Sequence, residues 1–189
     1  MARFQDFLPL AKARKTTYEF SGKKVSNADL KRILEAGRWA PSCGNIQPWK
    51  FIVVRNKKTR QGLIDNCAYY GDFHDYPALV IALALDLSCT HGKEKHSCLQ
   101  VEGSSAANEA RMCIPVAATA MVYEATSRGI DSCLLSASKT ASRKILRVPK
   151  NFEVVLMAGF GYAKKNIFQK KRTRKKFTEI VDYDYFKRK

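Results

Sequence analysis

Apolar and polar positions alternate along the chain in patterns that predict a mixture of helices and strands. From Ser26 to Ala40, the apolar residues Leu30, Ile33, Leu34 and Trp39 fall near helical spacing. Ser26 with Asp29 makes a capping-box-like start and Pro41 follows the last periodic residue, so this stretch reads as an amphipathic helix. After the loop Ser42 to Pro48, the aromatic and β-branched run Trp49-Lys50-Phe51-Ile52-Val53-Val54 predicts a strand, with a turn across the polar residues Arg55 to Arg60. A second helix is expected over Thr59 to Ala68. Ala78 to Leu85 is an uninterrupted apolar run, the pattern of a strand buried on both faces. Ile114 to Ser127 is rich in Ala, places Val116, Ala117, Ala120 and Met121 at helical spacing, and predicts a buried helix stopped by Gly129. A further helix is expected from Ser138 to Leu146, ahead of Pro149, and another central strand from Glu153 to Gly159. The strict βαβ alternation of a doubly wound parallel sheet is missing.

A chain of 189 residues, 46% of them hydrophobic, supports one domain with a real core, and no repeat, linker or Pro-rich tract divides it. We therefore expect a single domain over 1–189, with a basic extension over 163–189. The longest apolar stretch, Pro77 to Leu85, is about half the ~20 residues needed to span a bilayer. Arg3 and Asp6 stand where a signal peptide needs apolar residues, so a cytoplasmic protein is expected. Six cysteines without a CxxC pair point to reduced thiols rather than a disulfide scaffold or zinc ribbon. The formal charge of +17 raises the question of an anionic partner. A nucleic-acid-binding module is the rival reading, motivated by Lys170 to Lys176 and Lys187-Arg188-Lys189. Against it, the aromatics do not interleave with the cations in an RNP-like or OB-like arrangement.

Three segments carry candidate chemistry. Arg14-Lys15-Thr16-Thr17-Tyr18-Glu19-Phe20 sets two cations beside two hydroxyls, donors suited to the several acceptor oxygens of a phosphate. The same residues also read as a solvated basic patch. Ala40-Pro41-Ser42-Cys43-Gly44-Asn45-Ile46-Gln47-Pro48-Trp49 is a Pro-bracketed loop whose amides and hydroxyl suit the polar edge of a planar heterocycle, or serve an ordinary turn. Gly159-Phe160-Gly161-Tyr162 closes the last strand, and the cationic run Lys170 to Lys176 beyond it is either a solvated tail or returns to the phosphate of Arg14.

In order and spacing these segments resemble the FMN-dependent nitroreductase family. The resemblance takes in the Arg-rich opening ending at Phe20 and the Ala-Pro-Ser…Asn…Gln-Pro-Trp loop. It continues through Gly129-Ile130-Asp131-Ser132-Cys133-Leu134-Leu135, Ile145 to Lys150, Gly159 to Tyr162, and Arg174-Lys175-Lys176-Phe177-Thr178-Glu179-Ile180-Val181. It implies an α+β nitroreductase-like fold, with a central, mostly antiparallel sheet flanked by helices, in an intertwined homodimer with the C-terminal extension wrapped onto it. It further implies FMN held by Arg14, Lys15, Thr16 and Tyr18, with Arg174 returning from the C-terminus to the phosphate. Pro41, Ser42, Cys43, Asn45 and Gln47 would contact the flavin from the partner subunit, and Leu134, Leu135 and Ser136 would lie beside its ring. The implied activity is ping-pong reduction of a small acceptor such as a nitroaromatic or quinone by NAD(P)H, with no catalytic side chain and no metal. Flavin breakdown and dehalogenation are the alternatives within the family.

The chain departs from the family pattern at three places. Tyr18 stands where a cation is common, and Cys113 where the Ala-rich helix commonly begins with Asp. Ser88 to Met112 looks like an expanded polar loop; its Cys89, His91, His96 and Cys98 are also a set that could bind tetrahedral zinc, although Cys-x-His is tighter than the usual ligand spacing. Nothing in the sequence separates NADH from NADPH.

Overall fold

The computed structural model describes residues 6–67, 75–88, 105–167 and 172–186, with side chains from 108 onward in the third stretch. Helix α1 (Phe7–Ala13) starts at Asp6, whose carboxylate accepts the Leu8 N–H at 3.0 Å. Helix α2 (Asn27–Arg38) is capped as its sequence predicts: the Ser26 hydroxyl accepts from the Asp29 N–H at 3.0 Å and donates to the Asp29 carboxylate at 2.7 Å. A single 3-10 turn, Cys43–Asn45, leads to strand β1 (Trp49–Val54). Helix α3 (Lys57–Asp65), capped by Asn56, is followed by strand β2 (Leu79–Asp86) and the long helix α4 (Ser105–Ser127). Strand β3 (Asp131–Ser136), helix α5 (Lys139–Leu146), strand β4 (Phe152–Gly161) and the short helix α6 (Phe177–Ile180) complete the order.

The strands form one sheet in the order β1-β2-β4-β3 with every neighbouring pair antiparallel. Strand β2 is central, and its seven residues Leu79 to Leu85 are all buried. Its side chains alternate between two cores. Leu79, Ile81, Leu83 and Leu85 pack with Ile33 of α2 and with Ile114, Ala118 and Met121 of α4. Val80, Ala82 and Ala84 pack on the other face, with Leu63 and Ile64 of α3 and with Ile145 and Leu146 of α5. Each of the buried Leu, Ile and Val side chains contributes roughly 1.5–3 kcal/mol, which makes this strand the anchor of the fold.

The structure differs from the sequence reading at α4, which begins at Ser105 rather than Ile114. Residues 105–112, taken from the sequence as part of a polar loop, form its first turns. Pro115 sits inside the helix, where the sequence suggested a start, because proline at a first helical position is the commoner arrangement. The rest of that loop, with Cys89, His91, His96 and Cys98, lies outside the described residues, and no group of residues that could hold a metal occurs among those described.

The start of β3, the end of β4, the start of β2 and the end of β1 share one end of the sheet. The segment between α1 and α2 runs across this end. Thr16 pairs parallel with Ser132, the Thr17 N–H donates to the Ser132 carbonyl at 3.2 Å, and Phe20 bridges Ala163. Phe20 is buried there over Gly161, where an added Cβ would stand 2.7 Å from the Phe20 ring and 3.1 Å from the Ala78 nitrogen. The second glycine of the Gly159 to Tyr162 motif therefore serves packing of the N-terminal segment. Among the described residues no helix is long and apolar enough to cross a membrane.

Candidate functional site

Strand β3 lies at an edge of the sheet, and its backbone directions follow from its pairing. The Ser132 carbonyl points away from β4, toward Thr17. Hydrogen-bonding groups alternate sides along a strand, so the backbone N–H and C=O of Leu134 and Ser136 also face the outer edge. Leu134 is 45% exposed and Ser136 is exposed, whereas Leu135 is buried. Of the three residues expected beside a flavin ring, two thus present themselves on an open edge, while the Leu135 side chain belongs to the core.

Thr16, bridged to Ser132, starts the same edge. Arg14 and Lys15 just before it are half-buried and form no ion pair with a described carboxylate. Arg14 instead donates to the Thr16 hydroxyl at 3.2 Å. The Thr17 hydroxyl is buried without a hydrogen-bond partner among the described residues, an arrangement that costs about 1–3 kcal/mol unless another group completes it. Four residues along a strand cover about 13 Å, which sets the distance between the phosphate-suited residues and Ser136.

The C-terminal segment returns to this place, and the residue that reaches it is Arg172. Its guanidinium donates to the backbone carbonyls of Lys12 and Arg14. The guanidinium of Arg174 donates to the neighbouring Thr173 carbonyl at 2.7 Å. Sequence reasoning missed Arg172 because a run of seven residues, six of them cationic, gives no signal that separates one cation from the next.

The Pro41 to Gln47 loop is built differently. Gly44, Asn45 and Gln47 all take left-handed φ values of 51, 55 and 46°. This conformation is held by the Ser42 hydroxyl accepting the Gln47 N–H at 3.0 Å, and by the Gln47 amide donating to the carbonyl and side-chain oxygen of Asn45 at 3.2 and 3.1 Å. Pro41, Ser42 and Cys43 line an open, largely apolar cleft of about 370 Å³ against Met112, Cys113 and Val116 of α4. The Cys43 thiol donates to the Glu109 carboxylate at 3.3 Å, and that hydrogen bond to an anion pushes the thiol up from its ordinary value. Among the described residues, nothing in this environment activates the Cys43 thiol. The loop leads into β1, at the opposite edge of the sheet from β3. Within one chain the structure brings Arg14, Lys15, Thr16, Tyr18 and the β3 residues to one edge, and sets the loop on α4 beside the other.

The sequence and the fold match known proteins. The model of the nitroreductase family matches residues 11–162. A Haemophilus influenzae protein provisionally named an NAD(P)H nitroreductase is 27% identical, over 89% of this chain and 91% of its own length. Among solved structures, a nitroreductase family protein from Streptococcus pneumoniae superposes with a TM-score of 0.77 at 24% identity, covering 94% of this chain and 99% of that one. An FMN-dependent nitroreductase from Clostridium difficile does so with a TM-score of 0.75 at 22% identity, over 95% of this chain and 99% of that one. The chain belongs to the nitroreductase family and is a nitroreductase-like oxidoreductase.

Proposed function

We propose that this protein is an FMN-dependent reductase that uses NAD(P)H to reduce a small acceptor such as a nitroaromatic or quinone, and that it works as a homodimer. The observation that carries the reading is the β3 edge, where cations with no carboxylate partner among the described residues, Arg14 and Lys15, adjoin a strand whose Leu134 and Ser136 backbone groups face outward. The residues fit the cofactor: the cations and the Thr16 hydroxyl suit its phosphate, the buried Thr17 hydroxyl lacks, among the described residues, a partner that an ordered ligand or water would supply, and the outward N–H groups suit the polar rim of its ring. When bound, FMN supplies the acceptance and delivery of hydride, and the protein supplies orientation and electrostatics. Leu134 would shield one side of the ring from water, and Arg172, by fixing the Lys12 and Arg14 carbonyls, would hold the phosphate-binding segment in place. Arg174 in this reading contributes charge to the phosphate.

The separation of the two halves of the site supports a dimer. The loop of Pro41, Ser42, Cys43, Asn45 and Gln47 would reach the ring only from a second copy. Trp39, Met112 and Val116 near that loop, and Tyr183, Tyr185 and Phe186 in the 163–189 extension, are apolar side chains left exposed on the single chain. Their exposure on the single chain supports an intertwined assembly in which a second protomer would bury them. The names of the Haemophilus influenzae and Clostridium difficile relatives supply NAD(P)H and FMN respectively.

The test is to purify the full chain, record its visible spectrum and mass in solution, and titrate FMN into Arg14→Gln and Lys15→Gln. A yellow dimer is expected, with each variant binding FMN about 10–100-fold more weakly, the loss of one charge-assisted hydrogen bond of ~1.5–3 kcal/mol. A colourless monomer that takes up no added FMN overturns the reading.

A further inference from the structure

At the same end of the sheet, but toward the β1 edge, a second group of cations converges that the flavin reading does not use. The N-terminal segment leaves Phe20, turns at Gly22 with φ 77°, and delivers Lys24. Strand β1 ends at Val54 and delivers Arg55, while the first turn of α3 delivers Lys57 and Arg60. Together Lys24, Arg55, Lys57 and Arg60 line a cleft of about 420 Å³ over Val25, Ala78 and Leu79. That is within the size range of small-molecule sites.

The hydrogen bonds that hold these cations go to neutral groups. Arg55 donates to the Asn27 side-chain oxygen at 2.7 Å, and Arg60 donates through Nη1 to the Arg55 carbonyl at 2.8 Å. The Nε of Arg60 is buried with no acceptor among the described residues, and burial pulls its guanidinium down from its ordinary value. Lys24 and Lys57 form no ion pair among the described residues, no described carboxylate lines the cleft, and the first turn of α3 carries no acid to offset its dipole. The neighbouring carboxylate, Asp65, is occupied by the Tyr76 hydroxyl at 2.6 Å. Four like charges gathered around a concave wall repel one another and raise the local potential, a field that a compact dianion or trianion neutralises.

We propose that this cleft binds a phosphorylated small molecule, its phosphate oxygens taken by Lys24, Lys57 and the Arg60 guanidinium and its body resting on Val25, Ala78, Leu79 and the Tyr76 ring. The site is distinct from the β3 edge: the two share no residue and stand three strand spacings apart, about 14 Å. Its occupant is a free oligophosphate or the phosphate end of a nucleotide, sources that share the recognising chemistry.

The experiment is calorimetric titration of inorganic pyrophosphate, and separately of ADP, into the full chain at fixed chloride, with and without saturating FMN. The comparison is between wild type, Lys24→Glu, Lys57→Glu and Lys15→Gln. The lysines of the cleft are exposed, so these substitutions leave the core untouched. Pyrophosphate is expected to bind wild type whether or not FMN is present. Its affinity should fall by about tenfold or more, about 1.4 kcal/mol, in each cleft variant and by less than about twofold in Lys15→Gln. ADP binding equal to pyrophosphate assigns the site to the phosphates alone, and tighter ADP binding adds the apolar floor; both agree with the proposal. Undetectable binding to wild type, equal losses in Lys57→Glu and Lys15→Gln, or displacement of pyrophosphate by FMN overturns it. Because flavin binding is read separately in the β3-edge variants, failure here leaves the reductase reading standing.

Discussion

Strands β2 and β3 belong to one sheet and answer to opposite demands. β2 is buried over seven consecutive residues, Leu79 to Leu85, and joins two cores through its alternating side chains. β3, at the edge, is polar at Asp131, Ser132 and Ser136, pairs outward through Thr16, and leaves Leu134 in the open. The centre of the sheet supplies stability and its edge supplies free backbone groups, so substitutions in the two strands should separate folding from cofactor binding.

The largest effect is expected from Ile81→Ala. Truncating this fully buried side chain should cost about 3 kcal/mol and lower Tm by about 6–12 °C, read by denaturant and thermal unfolding. FMN affinity of the remaining folded protein should be unchanged, and a parallel loss of affinity would erase the distinction between the strands. Glu153 of β4 gives an intermediate case. It accepts two hydrogen bonds from Arg111 of α4, both 3.0 Å, and pairs with Lys139 of α5 at 3.3 Å. The Arg111 hydrogen bonds hold its carboxyl below the ordinary carboxylate value. A carboxyl depressed in the folded state stabilises above its unfolded pKa of ~4.3, and that contribution disappears as pH falls through the folded value. Glu153→Gln should therefore lose about 1 kcal/mol at neutral pH and converge on wild type in strong acid. A difference that stays constant across the pH range would remove the ion pair from the account.

Leu134→Ala sharpens the comparison from the edge. Its exposure limits the stability change to about 0.5 kcal/mol, while FMN should dissociate several-fold more readily in a fluorescence titration. Unaltered flavin binding would take the ring away from β3. The smallest effect is expected of Tyr18→Arg, which adds a cation to an exposed position beside the proposed flavin. Stabilising the reduced, anionic ring by about 0.5–1 kcal/mol raises a two-electron midpoint potential by roughly 10–20 mV. An unchanged potential by spectroelectrochemistry would exclude position 18 from the electrostatics of the ring.

The contrast between strands also explains what could be read from the sequence. The centre was legible because burial on both faces leaves a continuous apolar run at 79–85, and α2 because Ser26, Asp29 and its apolar stripe mark it from one end to the other. β3 was not anticipated as a strand. In Asp131-Ser132-Cys133-Leu134-Leu135-Ser136 a serine is buried and a leucine exposed, the reverse of the pattern from which half-buried strands are recognised. The start of α4 was displaced because Pro115 imitates a helix start, and α1 and α6 are too short to establish a period. At the candidate site, the donor chemistry of Arg14 to Thr17 was legible as suited to phosphate. That the Pro41 to Gln47 loop sits beside the opposite edge, and that Arg60 meets Lys24 in a cleft, depends on strand order, which no local pattern encodes.

The Arg172 guanidinium grips main-chain oxygens of Lys12 and Arg14, not their side chains. Such a clasp is indifferent to what residue occupies either position. Evolution, or a designer, is free to rewrite the side chain at 14 to suit another ligand without unfastening the two ends of the polypeptide from each other.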